Sequence, residues 1–319
     1  MQTNLSETYR GTPEGQEAET ILRACVHCGF CAATCPTYQL LGDELDSPRG
    51  RIYLIKQLLE GEPVSAKTQL HLDRCLTCRA CETTCPSGVR YGRLVDIGRE
   101  LIERKISRNP FATLTRFLLR RLIPYPRRFS ALLNLGLLVK PLLPHVLKNK
   151  IPDAQAKTPW PQQSHARKML VLEGCAQRSV SANTNVATAR VLHRIGIQLL
   201  TAPKAGCCGA VSQHLSAHEE ALNFMRNNID AWWPFIEQGI EAIIITASGC
   251  GTVVKDYGEL LKNDPIYRDK AKRVSLLAKD ISEILRDENI PTAKLKSATI
   301  RVAFHSPCTL QHGQHKLMA

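Results

Sequence analysis

The sequence contains no Gly-x-Gly-x-x-Gly, Gly-x4-Gly-Lys-Ser/Thr, His-Glu-x-x-His or Gly-x-Ser-x-Gly string. Those absences leave no loop to cradle a dinucleotide or nucleotide phosphate, no catalytic zinc pair and no serine elbow. Aromatic residues make up only 5% of the chain, and with no recognised binding motif this argues against nucleic acid as a partner. The longest mainly apolar piece, Ala131 to Val139, is interrupted by Asn134 and falls well short of the roughly 20 residues of a spanning helix. Met1 to Glu19 has neither a basic n-region nor an apolar run, so no secretory signal is visible. The thiols are therefore expected in a reducing compartment. Acidic residues are missing altogether between Arg104 and Lys150, a stretch that carries eleven Lys and Arg. Taking these from the formal net charge of +13 leaves +2, so one segment is basic and the remainder is not.

What the chain does have is cysteine: thirteen in 319 residues. In a reducing compartment, cysteines at C-x-x-C spacing are metal ligands or redox groups more often than structural disulfides. The run Cys25-Val-His-Cys28-Gly-Phe-Cys31-Ala-Ala-Thr-Cys35-Pro36 recurs fifty residues on as Cys75-Leu-Thr-Cys78-Arg-Ala-Cys81-Glu-Thr-Thr-Cys85-Pro86. This internal duplication has the spacing of the bacterial-type ferredoxin signature, in which three thiolates on one loop reach one cubane and the fourth ligates the other. Cys25, Cys28, Cys31 and Cys85 are thus assigned to one 4Fe-4S cluster, and Cys75, Cys78, Cys81 and Cys35 to a second. A pair of four-thiolate zinc sites is the alternative, but zinc modules present two C-x-x-C pairs separated by a longer loop. Gly29, beside Cys28, is read as a close backbone approach to a sulfide or as a plain turn glycine. Between the copies, Ile52, Ile55, Leu58 and Leu59 recur at helical spacing, which predicts a bridging helix over Arg51 to Glu60.

Beyond a Pro-, Gln- and Ala-rich linker at 151–167, strands and helices alternate. Strands are predicted at Lys168–Glu173, Ile197–Thr201, Ala242–Ala247 and Thr299–Phe304. Helices are predicted at Val186–Ile195, along the face Leu222, Met225, Ile229, Trp232 and Ile236, and at Val274–Leu285. That alternation argues an α/β layer with a mostly parallel sheet. Cys175, Cys207, Cys208, Cys250 and Cys308 each follow one of these strands, and carboxyl ends of strands are where open α/β sheets bind ligands. Buried inert thiols are the alternative for any one of them.

Gly206-Cys207-Cys208-Gly209, with Cys175 before it and Cys250 after it, resembles the cysteine-rich CCG domain. Heterodisulfide reductase B subunits share that domain with iron–sulfur subunits of glycolate, lactate and glycerol-3-phosphate dehydrogenases. The paired ferredoxin motifs, Asp43-Glu-Leu-Asp46 and Arg49-Gly-Arg-Ile-Tyr53 narrow the resemblance to the iron–sulfur subunits of bacterial glycolate oxidase. The resemblance implies an α+β multidomain chain: a helical two-cluster ferredoxin domain at 1–105, a basic apolar connector at 106–167 and a CCG α/β domain at 168–319. It also implies two flavoprotein-type partner subunits that carry FAD and oxidise glycolate to glyoxylate, no catalytic residue on this chain, and a membrane quinone or other acceptor. Equivalent subunits of lactate or glycerol-3-phosphate dehydrogenases, a disulfide or quinone reductase acting at the CCG site, and an iron–sulfur sensor remain as other readings. A further cluster or redox site falls on Cys175, Cys207, Cys208, Cys250 and Cys308. Two departures bear on it: Val253 stands where the heterodisulfide reductase pattern has a second cysteine after Cys250, and Cys308 opens a second CCG module that is apparently incomplete at Ala319.

The absence of any flavin or nicotinamide motif agrees with a subunit and not a self-contained dehydrogenase, because a hydride donor needs a two-electron acceptor. The basic stretch has three readings: a membrane-surface patch, a docking face for an acidic partner, or a solvated helical connector. The expected location is cytoplasmic, peripheral on the cytoplasmic face of the inner membrane. His27 is read as a surface histidine or a tuner of cluster potential, and Trp232 and Trp233 as core.

Overall fold

A computed structural model describes residues 1–153, 158–288, 290, 301 and 303–314. The first hundred residues are helical around one core, in which Leu22, Ile55, Leu58, Leu59, Leu72 and Leu94 are fully buried. The bridging helix runs Pro48–Glu60. Ser47 caps it by accepting from the Gly50 amide, Pro48 sits in its first turn, and Gly61 at φ 90° ends it. Its inward face includes Ile52, Ile55, Leu58 and Leu59, as the periodicity predicts. This face crosses the Tyr91–Lys105 helix at Gly98, where a Cβ would meet Ile55 Cγ1 at 2.6 Å.

The basic stretch folds as two helices, Pro110–Leu122 and Pro126–Val139, followed by short turns at Lys140–Leu142 and His145–Lys148. Neither of the two longer helices buries a single residue. Phe111, Leu114 and Leu118 line one side of the first, and Leu132, Leu135 and Leu138 recur at helical spacing on the second, all of them exposed. Among the described residues no helix is long and apolar enough to cross a membrane.

The second half is a layered α/β unit on a four-stranded sheet of order β2-β1-β3-β4, every pair parallel. Its strands are β1 Arg167–Val171, β2 Ile197–Thr201, β3 Ile243–Ile244 and β4 Ala278–Lys279. Helices Ala182–Arg194 and His218–Glu237 stand where the apolar periodicity places them, with Trp232 fully buried and Trp233 partly buried against the same core. Two expectations differ. The strand at 242–247 pairs over two residues only, since its neighbours turn toward a helix at Ser248. The segment 274–285 is broken by β4, because Ala278 ends the Arg268–Leu277 helix in extended backbone and Asp280 caps a new one at Ile281–Asp287. Half of the strand expected at Thr299–Phe304 lies outside the described residues, and Arg301, Ala303 and Phe304 belong to no regular element.

The two halves meet through ion pairs. Lys262 Nζ lies 3.0 Å from Glu17, Arg90 Nη1 3.1 Å from Glu259, and Arg79 Nη2 3.0 Å from Asp256. The last of these joins the second cysteine loop directly to the sheet domain.

Candidate metal centres

The two copies of the cysteine run share a backbone. His27 and Thr77, each just before the second cysteine, have φ 60° and 51°, and Gly29 and Arg79, each just after it, have φ 86° and 60°. Paired left-handed residues curl each loop so that its first three cysteines face one side, and a short helix, Phe30–Ala33 or Ala80–Thr84, then carries the chain away. A Cβ at Gly29 would meet Arg49 Nη1 at 2.7 Å, so what crowds this glycine is a flexible guanidinium. The fourth cysteine is delivered to the other loop. One void of ≈ 430 Å³ is lined by Cys25, Cys28, Cys31 and Cys85, with Cys81 at its edge. A second, of ≈ 290 Å³, is lined by Cys35, Cys75, Cys78 and Cys81.

The donor sets fit a cubane better than a single zinc ion. A tetrahedral zinc with bonds of about 2.3 Å holds its sulfurs about 3.8 Å apart. Among the described residues, the group of His, Cys, Asp or Glu ligand atoms all within 4.8 Å of one another is Asp43, Asp46 and His71, and it contains no thiol. The Tyr91 hydroxyl is buried beside the Cys75 thiol and the Arg51 guanidinium with no well-formed hydrogen bond among the described residues, and its residue lines both voids. An orphaned donor at that junction suits sulfur acceptors on either side. Burial and the neighbouring Cys25 push the Cys31 thiol up to about 11, and burial with Cys75 close by raises Cys81 far above the usual thiol range. Thiols gathered this way ionise only when a cationic centre offsets their mutual repulsion, which is what metal binding supplies.

A charged knot buttresses the second void, and the pattern of the sequence did not reveal its role. Asp46 is fully buried and accepts from Arg51 Nη2 at 3.3 Å and Arg74 Nη1 at 2.7 Å, with His71 Nδ1 at 3.0 Å. With two guanidiniums already on it, its carboxylate is a counter-ion and not a ligand waiting for a cation. Burial opposes its ionisation, but His71 and Arg74 override this and hold the carboxyl below its usual range. Arg51 also donates from Nε to the His71 carbonyl at 2.6 Å, and its Nη1 lies 4.0 Å from Cys35 Sγ. Arg99 gathers the carbonyls of Leu72, Asp73 and Cys75 at the mouth of the second loop. His27 is exposed, its ring 6.4 Å from that of Tyr53.

In the second half, Cys175 follows β1, Cys207 and Cys208 follow β2, and Cys250 lies in the first turn of the helix after β3. They share the carboxyl edge of the sheet. Cys175, Cys207, Cys208 and Cys250 form a row in which each thiol perturbs the next. Cys207 is pushed up to about 12, its contact with Cys175 lowering it while Cys208 and burial raise it by more. Asn228 Nδ2 donates to the Cys207 carbonyl at 2.7 Å and the Tyr257 hydroxyl to the Cys208 carbonyl at 2.8 Å, which fixes the pair. Cys308 stands apart, exposed at the start of the π-helical turn Thr309–Gly313, where Cys78 feels its charge. That turn packs on the Ser248–Lys255 helix and on Ala80–Thr84, so it bridges the second cysteine loop and the sheet.

Two cysteine-lined voids on a duplicated loop, followed by a parallel sheet with a cysteine edge, define an iron–sulfur protein of the two-cluster ferredoxin type extended by a cysteine-rich domain. Residues 21–89 match the family described as 4Fe-4S dicluster domain, and residues 169–255 the family described as Cysteine-rich domain. The chain is 58% identical to the glycolate oxidase iron-sulfur subunit of Escherichia coli (strain K12), over 98% of this chain and 77% of that protein. It is 29% identical to the probable glycolate oxidase iron-sulfur subunit of Bacillus subtilis (strain 168), over 91% of this chain and 71% of that protein. Lactate utilization protein A of Bacillus pumilus (strain SAFR-032) is 22% identical over 42% of this chain and 54% of its own length. No solved structure matches the chain. The chain belongs to the family of glycolate oxidase iron–sulfur subunits.

Proposed function

We propose that this chain is the electron-transferring subunit of a glycolate-oxidising complex, receiving electrons from flavoprotein partners that oxidise glycolate to glyoxylate. The observation that carries it is the pair of cysteine-lined voids that share Pro48, Cys81 and Tyr91 in their linings. Cys25, Cys28, Cys31 and Cys85 hold one 4Fe-4S cluster, and Cys75, Cys78, Cys81 and Cys35 the other. When bound, such clusters supply one-electron carriers whose potentials are set by burial and by hydrogen bonds to sulfur. The protein's own work is to hold thiolates, place the Arg51 guanidinium beside Cys35, and exclude water with Tyr91 and the buried helices. Cys175, Cys207, Cys208 and Cys250 form a separate redox or metal site at the sheet edge.

The division into 1–105, 106–167 and 168–319 is supported by separate cores, one from Leu5 to Ile102 and the others from Met169 to Ile284. The connector lies on the cytoplasmic face of the inner membrane. Its exposed Phe111, Leu135 and Leu138 enter the interface, where each fully buried side chain contributes about 1.5–3 kcal/mol, while its Arg and Lys meet anionic headgroups.

The test is low-temperature EPR on the chain purified anaerobically with its flavoprotein partners. Glycolate is expected to produce a reduced 4Fe-4S signal that lactate and glycerol-3-phosphate do not. A signal with dithionite and none with glycolate, despite bound flavoprotein, would remove the substrate assignment; a signal with lactate would select the lactate subunit instead.

A further inference from the structure

Among the described residues two arginines are buried, Arg51 at 1% and Arg99 at 6% exposure. Arg51 has the Asp46 carboxylate for a partner. Arg99, on the Tyr91–Lys105 helix, donates only to main-chain oxygens. Its Nε and Nη2 reach the Leu72 carbonyl at 3.1 and 2.9 Å, and Nη2 also reaches those of Asp73 at 3.3 Å and Cys75 at 2.7 Å. The carboxylates around it are engaged elsewhere. That of Asp73 is paired with Arg108 at 2.5 Å, and that of Asp96, which feels Arg99 from one turn back on the same helix, lies with His214 and Gln213.

A guanidinium keeps its charge at any working pH, and a buried charge without compensation is costly. Part of the compensation comes from the main chain. Leu72 and Asp73 end the Ala66–Asp73 helix, whose last carbonyls lack partners within it, and a cation suits that negative end. The Cys75 carbonyl lies past the helix, on the cysteine loop itself, and receives the shortest of the four bonds. There the remaining negative charge is thiolate: Cys75, Cys78, Cys81 and Cys35 line the void beyond it and are ionised when they hold metal. The first loop repeats the contact with a different cation, since the Met1 amine donates to the Cys25 carbonyl at 2.7 Å. Both copies of the motif thus place a positive group on the carbonyl of their first cysteine. Met1 is half-buried, whereas Arg99 is buried and less screened by water.

We propose that Arg99 is the counter-ion of the cluster held by Cys75, Cys78, Cys81 and Cys35 and sets its reduction potential, holding it above the value that a neutral residue at position 99 would give. This role rests on the two-cluster reading of the voids. One electron, from the partner flavin or from dithionite, adds one negative charge to a site already made anionic by its thiolates. No bond forms or breaks, and the guanidinium neither gains nor loses a proton. A fixed cation beside the site favours the more negative state, and net charge is among the terms that set such potentials. A unit charge at about 10 Å in an effective dielectric of about 20 changes an equilibrium by about tenfold or somewhat more.

Potentiometric titration with dithionite, read by EPR on the chain purified anaerobically in its complex, tests this role. The wild type is expected to show two one-electron transitions, and the one missing from Cys35→Ser belongs to the second cluster. In Arg99→Met and Arg99→Gln, the reduced-to-oxidised ratio of that transition at the wild-type midpoint is expected to fall about tenfold, a shift of about 59 mV to more negative potential. The other transition stays in place. Arg99→Lys keeps the charge and loses the forked hydrogen bonds, and is expected to remain within about threefold of the wild-type ratio. A residue that only caps the helix predicts the opposite grouping, with all three variants less stable and none shifted in potential. An unmoved transition in the neutral variants, or an equal shift in Arg99→Lys, overturns the role. Should both neutral variants lose the second cluster, its retention in Arg99→Lys supports the counter-ion, and its loss in all three overturns it. A wild type with a single transition removes the two-cluster reading and the role of Arg99 with it. Two transitions that no Arg99 variant moves remove the role of Arg99 alone.

Discussion

Replacing Asp46 by Asn strips the counter-ion from a guanidinium that is 1% exposed while changing almost nothing in shape. Arg51 cannot deprotonate to escape, so the variant leaves a charge buried without its partner. Breaking such a pair from one side costs about 3–5 kcal/mol, a large share of the 5–15 kcal/mol that holds a domain together. At about 4 °C per kcal/mol for a unit of about a hundred residues, the melting transition of the ferredoxin half is expected to fall by about 12–20 °C. The sheet domain, with its separate core, keeps its own transition. Arg51 Nη1 lies beside Cys35 and Cys35 Sγ lies 3.7 Å from the Asp46 carbonyl, so the cluster assigned to Cys35 is expected to bleach in air before the other. The double variant Asp46→Asn with Arg51→Met removes the stranded charge and recovers part of the loss. Because the Asp46 carboxyl is held below its usual range, its stabilisation is complete above the unfolded value near 3.8 and disappears as pH falls through the lower folded value. The wild type therefore loses this margin only in strong acid, and the Asn variant shows no such step. Anaerobic scanning fluorimetry and 4Fe-4S absorbance check this; a shift below about 2 °C refutes the reasoning, since it means that Arg51 has found another anion.

Three other outcomes follow from the same geometry. Tyr91→Phe deletes a buried hydroxyl whose neighbours include the Cys75 thiol and the Arg51 guanidinium, so stability changes little, while an EPR-monitored redox titration reads a more negative potential for at least one cluster once that donor is gone. Cys85→Ser is expected to spoil the cluster of Cys25, Cys28 and Cys31, and Cys35→Ser the cluster of the second loop. Iron analysis with EPR separates this crossed assignment from one in which each run keeps its own four. Phe111→Asp together with Leu138→Asp is expected to abolish flotation with anionic vesicles at fixed fold, and flotation that survives removes the membrane reading of the connector.

What could be read in advance was what repeats. The duplicated cysteine run, the helix carrying Ile52 to Leu59, and β2 at Ile197–Thr201 stand where periodicity and spacing place them, since each is a local pattern with a short-range cause. Asp43-Glu-Leu-Asp46 and Arg49-Gly-Arg-Ile-Tyr53 were legible only as strings shared with a family. Their reason is three-dimensional: Asp46 pairs with Arg51, Glu44 with Arg49 at 2.7 Å, and a Cβ on Gly50 would meet the Glu44 carbonyl oxygen at 2.0 Å. A charge pattern predicts surface, so a buried Asp with two arginines on it is invisible until the turn closes. β4 escaped notice for a related reason, since two residues between helical runs carry no period of their own.

The two copies of the motif have kept one backbone, while their surroundings differ on one side. Around the first loop Val26 is 67% and Phe30 61% exposed, and Cys28 is exposed as well. Around the second, Leu76 is 65% exposed as Val26 is, but Ala80 is buried where Phe30 is exposed, and Arg79 is paired with Asp256 and Thr83 with His312, so the sheet domain and the turn after Cys308 cover that side of it. An apolar rim over a cysteine loop is the kind of surface on which another protein docks. On the proposed electron-carrier reading, the flavoprotein is expected to dock at the loop of Cys25 to Cys31. Val26→Asp with Phe30→Asp alters two exposed side chains and is expected to slow glycolate-driven reduction of the clusters at least tenfold, while small, freely diffusing dithionite reduces them at the normal rate. Stopped-flow bleaching with each reductant separates the two. Equal slowing with both reductants would point to a damaged cluster, and no slowing with either would place the flavoprotein elsewhere on the surface.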